Sequence, residues 1–215
     1  HLYLHIPFCH RICPYCSFYK HTPGKTDLGA FVQALITEAQ FFAQKNLAPI
    51  KTIYFGGGTP SMLSPTHLRT LFGGLHANFD FSQIEEITLE ANPATFTERT
   101  AALYEELGVT RVSLGIQSFL GKHLETLGRE HSPMQAIQSV HLLREASSLE
   151  VNIDLIFSVP GQTLVDWEDT LTQALALQPD HISAYNLTYE EDTAFFEQFK
   201  KGDFIDDPEL NAKMF

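Results

Sequence analysis

Basic residues are scarce in this sequence. Fourteen Lys and Arg face 26 Asp and Glu, a formal net charge of −12. Such a surface repels a phosphate backbone and lacks the basic stripe that a nucleic acid or an anionic bilayer needs, so no nucleic-acid partner is expected. No uninterrupted apolar run reaches membrane-spanning length, and no transmembrane segment is expected. The first residues read as a strand without the basic, apolar and small-residue zones of a secretory signal, which points to the cytoplasm. Only three cysteines occur. Three cannot all pair, and Cys9, Cys13 and Cys16 crowd into one short stretch, so an ordinary disulfide framework is excluded and metal ligation is the natural reading. Apolar residues are not scarce: 215 residues at 44% hydrophobic content suffice for one substantial core, and nothing in the composition suggests disorder.

Strand-like runs recur along the chain, each followed by a turn and a stretch with helical spacing, the pattern of parallel β/α units. Six strands are expected, at Leu2 to Ile6, Thr52 to Phe55, Ile87 to Ala91, Arg111 to Ile116, Val151 to Phe157 and His181 to Leu187. Ser64 before Pro65 and Ser132 before Pro133 read as N-caps with proline at the first helical position. Thr97 is a third cap, and Gly108 closes its helix. Leu164, Trp167, Leu171 and Leu175 form one apolar stripe.

Alternation within the strands separates two faces. Leu2, Leu4, Ile6, Ile87, Leu89, Val112, Leu114, Ile116, Val151, Ile153 and Leu155 form an apolar one. Tyr3, His5, Thr88, Glu90, Asn92, Ser113, Gln117, Asn152, Asp154, Ser183 and Tyr185 form the other. A closed eight-stranded barrel fills its lumen with branched apolar side chains. This inner face is polar, so the expected fold is α/β, an open and partial six-stranded barrel around a polar ligand. Periodicity alone also permits an open doubly wound sheet.

The segment HIPFCHRICPYCSF places the cysteines at C-x3-C-x2-C just after the first strand. Three thiolates from one loop can wrap three irons of a [4Fe–4S] cube and leave the fourth iron without a protein ligand. The amine and carboxylate of a methionine-like ligand can chelate that iron. The alternative is structural zinc, with His5, His10 or His21 as fourth ligand, although the usual second C-x-x-C pair is missing.

With an aromatic before its last cysteine, this spacing resembles the signature of the radical-SAM superfamily, and YLHIPFC resembles its coproporphyrinogen-oxidase-like branch. The segments YFGGGTPSML, ITLEANP, RVSLGIQSF, LGREHSP, NIDLIFSVPGQT and HISAYNLTYEEDTAF follow that branch in order and spacing. The resemblance implies a TIM-like (β/α)6 core over residues 1–205. It also implies that residues 206–215 begin a further C-terminal region whose remainder is missing from this chain. The implied cofactors are a [4Fe–4S] cluster on Cys9, Cys13 and Cys16 and S-adenosylmethionine (SAM). By motif, Gly57, Gly58 and Thr59 contact SAM, Glu90 takes its ammonium or ribose hydroxyls, and Gln117, Arg129 and Asp154 fall on ligand-contacting positions. Tyr3 touches SAM, and Tyr15 shields the cluster or contacts a second SAM. No catalytic acid or base is implied, because a 5′-deoxyadenosyl radical would abstract hydrogen from the substrate.

The branch contains an oxidase that decarboxylates coproporphyrinogen and a haem chaperone that delivers haem to respiratory haem proteins. The oxidase has Gly-Cys after the third cluster cysteine. Here Ser17 and Phe18 stand there, close to the Asp-Phe or Asn-Phe of the chaperone, and the EANP and PGQT segments lean the same way. The expected function is therefore that of a haem chaperone, with the oxidase as the alternative. The implied partners are haem or a porphyrinogen, haem-accepting proteins and an electron donor.

Overall fold

The computed structural model describes residues 1–45, 49–93, 95 and 97–215. Its elements run β1 (Leu2–Ile6), α1 (Leu28–Ala43), β2 (Thr52–Gly57), a 3₁₀ turn (Pro60–Met62), α2 (Pro65–Asn78), β3 (Glu86–Ala91) and α3 (Glu98–Glu106). They continue with β4 (Arg111–Gln117), α4 (Gly121–Thr126), α5 (Pro133–Ala146), β5 (Glu150–Phe157), α6 (Leu164–Ala176), β6 (His181–Asn186), α7 (Ala194–Lys201) and α8 (Pro208–Met214). The strands form one sheet in the order β1-β2-β3-β4-β5-β6, every neighbouring pair parallel. Among the described residues β1 and β6 do not pair, so the barrel is open.

Register explains why the polar residues meet. Tyr3 lies opposite Tyr54, Tyr54 opposite Thr88, Glu90 opposite Ser113, Ser113 opposite Asn152, and Asp154 opposite Ser183. With side chains alternating at period two, this alignment stacks these inner polar residues on one face. On the other face Leu4, Ile6, Ile53, Phe55, Ile87, Leu89, Val112, Leu114, Ile116, Val151, Ile153 and Leu155 are buried. They belong to the same core as Ile36 of α1, Phe72 of α2, Tyr104 of α3, Val140 of α5 and Trp167 of α6.

The expected caps are present: the side chains of Ser64, Thr97 and Ser132 accept from the N–H groups of His67, Thr100 and Gln135. Gly108 follows α3 at φ +87°. At Ser132 the Gln135 side chain also accepts from the Ser132 N–H, closing a capping box. Ser132→Ala is expected to cost about 1 kcal/mol, read as a lower denaturant midpoint at unchanged slope.

The stripe on α6 differs from the sequence expectation. Trp167, Thr170 and Ala174 are buried, Leu164 and Leu171 are packed against the core, and Leu175 faces solvent. Leu175 stands one residue, about 100° of helix turn, beyond Ala174. Residues 208–214 form α8, whose Asp207 cap accepts from the N–H groups of Glu209 and Leu210. The helix lies on α6, where Trp167 Nε1 donates to the Met214 carbonyl at 2.8 Å.

Candidate metal centre and cofactor cavity

The cysteine loop leaves the C-terminal end of β1 and is held from three sides. The N–H of Gly58 donates to Ile6 O at 2.8 Å and that of Thr59 to Phe8 O at 2.8 Å, which fastens the loop's entry to the end of β2. The N–H of Phe195, at the start of α7, donates to Pro14 O at 3.1 Å. Gly128, at φ +66°, packs so closely on Pro14 that an added Cβ would stand 2.7 Å from Pro14 Cδ. Within the loop, Cys9 N–H donates to His21 O, His21 N–H to Pro7 O, and Cys16 N–H to Cys13 O. Lys20 Nζ donates to Cys16 O. Phe8 is buried and meets His21 and Phe31 edge-on.

All three cysteines are free thiols on one cavity of about 450 Å³ at the C-terminal end of the sheet. Burial pushes the Cys9 and Cys16 thiols up from their ordinary value. Among the described residues no three His, Cys, Asp or Glu side chains converge where one metal ion could sit. The donor set instead suits a cluster, whose irons let each thiolate bind a separate corner.

Arg129 is the half-buried cation that reaches deepest into the hydrogen bonds of the site. Its Nη2 donates to Asn92 Oδ1 at 2.6 Å and to Gly115 O at 2.7 Å, and its Nη1 lies 3.6 Å from Cys13 Sγ. Its Nε is buried without a protein partner among the described residues. Of the four acidic residues on the cavity lining, Glu130 and Glu190 are exposed, and Glu90 and Asp154 are the half-buried pair. Glu90 accepts from Tyr54 Oη at 2.8 Å and from Gly57 N–H at 3.0 Å. Asp154 accepts from Ser113 Oγ at 2.8 Å and Asn152 Nδ2 at 2.7 Å. Burial pushes both carboxyls above the usual carboxylate range. Burial and the adjacent Arg129 hold His131 down to about 4, so it is neutral at physiological pH and adds no charge. A cavity with two half-buried carboxylates, a guanidinium and open thiols fits a ligand carrying both cationic and anionic groups, because each charge needs a partner as water is displaced.

The raised carboxyls have a measurable consequence in the metal-free protein. Between the unfolded-state values, about 3.9 for Asp and 4.3 for Glu, and the higher folded values, the native state binds more protons. The two carboxyls therefore contribute stability that falls as pH rises through that window, while His131, held to about 4 against an unfolded value near 6.5, contributes stability that rises over the same range. Denaturant titrations of wild type and Glu90→Gln isolate the carboxyl: the stability of wild type relative to the variant is expected to fall as pH rises.

The cavity gathers Cys9, Cys13, Cys16, Tyr15, Gly57, Gly58, Thr59, Glu90, Gln117, Arg129 and Asp154. Tyr3 stands outside its lining: 55% exposed, it stacks on Tyr54 with ring centroids 6.1 Å apart and its hydroxyl meets His5 Nδ1 at 3.0 Å. The glycine loop also differs from a simple anion nest. The N–H groups of Gly57, Gly58 and Thr59 already donate to Glu90, Ile6 and Phe8. Its glycines serve close approach. An added Cβ would come 2.5 Å from the His5 ring at Gly57, where φ is +113°, and 2.7 Å from Phe8 O at Gly58. Gln117 takes φ +69°, a left-handed conformation costly for a side chain of its kind, where the pairing of β4 with β5 shifts register. Tyr15 is held beside Phe195, centroids 6.2 Å apart, and burial pushes its phenol up. Asn92 and Tyr54 went unchosen in the sequence. Asn92 was legible only as the next inward position after Glu90, and Tyr54 as the register partner of Tyr3.

An open parallel half-barrel with a three-thiol loop after its first strand and a charged cavity at the C-terminal strand ends defines a class of iron–sulfur proteins built to present a cluster to an organic ligand. The model of the Radical SAM superfamily matches residues 3–174, and the chain belongs to that superfamily. It is 36% identical over 200 residues to heme chaperone HemW of Lactococcus lactis, covering 93% of this chain and 52% of that protein. To heme chaperone HemW of Escherichia coli it is 39% identical over 198 residues, covering 90% and 52%. The structure of coproporphyrinogen III oxidase (HemN) from Escherichia coli, a radical SAM enzyme, superposes with a TM-score of 0.88 at 28% identity, covering 99% of this chain and 50% of that one. The chain thus spans about half the length of these relatives. No described helix is long and apolar enough to cross a membrane.

Proposed function

We propose that this chain is the radical-SAM core of a haem chaperone. The observation that carries the reading is the agreement of site and relatives. The complete thiol loop and charged cavity are kept, Ser17 and Phe18 follow Cys16 in place of the oxidase's Gly-Cys, and 36–39% identity runs to proteins named HemW. Cys9, Cys13 and Cys16 would hold the [4Fe–4S] cluster. Cluster and SAM together would supply one-electron radical chemistry when bound. Arg129 and Gln117 serve the anionic end of SAM, Glu90 its ammonium or ribose hydroxyls, and Asp154 the far side of the cavity. Gly57, Gly58 and Thr59 give the wall its close approach, Tyr15 closes the cluster from solvent, and Tyr3 backs Tyr54 from the rim. Residues 1–205 would act as the core domain and 206–215 as the link to a C-terminal region. Haem, haem-accepting proteins and an electron donor would be the partners, in the cytoplasm, with no role for nucleic acid.

Anaerobic reconstitution with iron and sulfide is expected to load about four irons per chain and to give a reduced-cluster EPR signal that changes with SAM. A colourless protein holding one zinc would overturn the cofactor assignment. Glu90→Gln removes one charge from a half-buried, charge-assisted interaction, so the SAM dissociation constant is expected to rise about 10- to 100-fold by calorimetry. The superposition on HemN favours the second reading, an oxygen-independent coproporphyrinogen oxidase. In the full-length protein, stoichiometric haem binding without carbon dioxide release from coproporphyrinogen supports the chaperone. Release dependent on SAM and a reductant supports the oxidase.

A further inference from the structure

Arg129 reaches Cys13, and Thr59, on the opposite wall, reaches Cys9. The two are joined by one side chain, Asn92. Its Oδ1 accepts from Arg129 Nη2 at 2.6 Å, its Nδ2 donates to Thr59 Oγ1 at 3.1 Å, and Thr59 Oγ1 donates to Cys9 Sγ at 3.6 Å. Thr59 is 2% exposed, and its backbone N–H is fixed on Phe8 O. The Asn92 backbone is fixed as well: its carbonyl accepts from Thr95 N–H at 3.2 Å and Thr95 Oγ1 at 2.6 Å, and Thr95 Oγ1 meets Ser61 Oγ at 2.8 Å.

The direction of every bond in this chain follows from its first member. A guanidinium only donates. The Asn92 oxygen must therefore face Arg129, which turns the amide nitrogen towards Thr59. That nitrogen also only donates, so the single hydroxyl hydrogen of Thr59 is left to point at Cys9 Sγ. The chain thus sets two donors, one on each of two cysteine sulfurs, through an amide that touches neither. Hydrogen bonds to the sulfurs of an iron–sulfur cluster stabilise its more negative, reduced state and raise its potential.

We propose that Asn92 is a positioning residue that holds the Thr59 hydroxyl as a donor to Cys9 and thereby raises the reduction potential of the bound cluster. This rests on the cluster assignment above and goes beyond it by giving the EANP segment a task.

The test is a potentiometric EPR titration of the reconstituted cluster in four proteins: wild type, Thr59→Val, Asn92→Asp and the double variant, with Thr59→Ser as the conservative control. Thr59→Val keeps the shape and removes the donor. Its ratio of reduced to oxidised cluster at fixed potential is expected to fall about tenfold, a shift of about −59 mV for one electron. Thr59→Ser should stay within about twofold of wild type, because the donor remains. Asn92→Asp keeps the shape and the bond to Arg129, but its second oxygen accepts the Thr59 hydrogen and draws it off Cys9. The midpoint falls again, and part of that fall vanishes in the Thr59→Val background, where there is no hydrogen to divert. A residual shift common to both backgrounds is the added charge alone. Should Thr59→Val fail to hold a cluster, Thr59→Ala takes its place in the cycle. An unchanged midpoint in Thr59→Val, or strictly additive shifts, overturns the relay while leaving the cluster assignment intact. A wild-type protein that assembles no cluster overturns both.

Discussion

Gly58→Val is expected to yield a folded protein that fails to retain the cluster. Gly58 is the point where the end of β2 meets the chain running into Cys9. A Cβ there would stand 2.7 Å from Phe8 O, 2.8 Å from Pro7 C and 2.9 Å from Ile6 O. All three are backbone atoms, so no side chain can swing aside, and the segment carrying Cys9 must move. Overpacking of this kind costs about 1–3 kcal/mol. Here that cost falls on the geometry the cluster needs, so retention of iron should weaken about 10- to 100-fold. Iron and sulfide content after reconstitution measures it, and circular dichroism confirms that the sheet persists. Gly73 supplies the control. It sits within α2 with nothing within 4 Å of an added Cβ, and Gly73→Ala should leave the cluster unchanged while stabilising the fold by about 0.5–1 kcal/mol. Equal iron loading in Gly58→Val and wild type would show that the loop is not seated on that glycine.

Arg129→Met should have a comparably large effect by a different route. The guanidinium bridges Asn92 Oδ1 and Gly115 O and reaches Cys13 Sγ. Methionine fills much of the volume but donates nothing, leaving two buried acceptors without partners at about 1–3 kcal/mol each. Relief of the half-buried charge offsets part of this, and a net loss of about 2–4 kcal/mol of metal-free stability is expected by chemical denaturation. Three thiolates would also lose their counter-charge, so the variant should load little iron. Arg129→Lys should not rescue either property. An ammonium on a flexible stem cannot span two acceptors and a sulfur in the plane that a guanidinium covers. Iron loading near wild type in Arg129→Lys would show that charge alone suffices.

Glu90, Asp154 and Gln117 were visible in the sequence because strand alternation places them on one face and short turns follow them. The caps were visible for a similar reason, since each depends on a few neighbouring residues. Leu175 failed because one residue of helical phase separates packed from exposed. The glycine loop was legible as a place of close approach, but not what it approaches: its N–H groups serve Ile6, Phe8 and Glu90, partners far away in sequence. Tyr3 was legible as inward-pointing, and only the packing of Tyr54 shows that it stops at the rim.

Period, spacing and residue type therefore determined the parallel β/α units, the polar face of the strands and the three-thiol loop, since all of these are written in runs of a few neighbouring residues. The strand order that makes a half-barrel and not a doubly wound sheet came from the structure. Tertiary structure alone decided which hydrogen bonds close the site. Arg129, Asn92, Thr59 and Cys9 lie on four different loops at strand ends, and the order in which they donate and accept follows from distances across the barrel mouth that no local pattern encodes. Hydrogen-bond direction depends on all the partners of each group at once, so it exists only when the strands are in register.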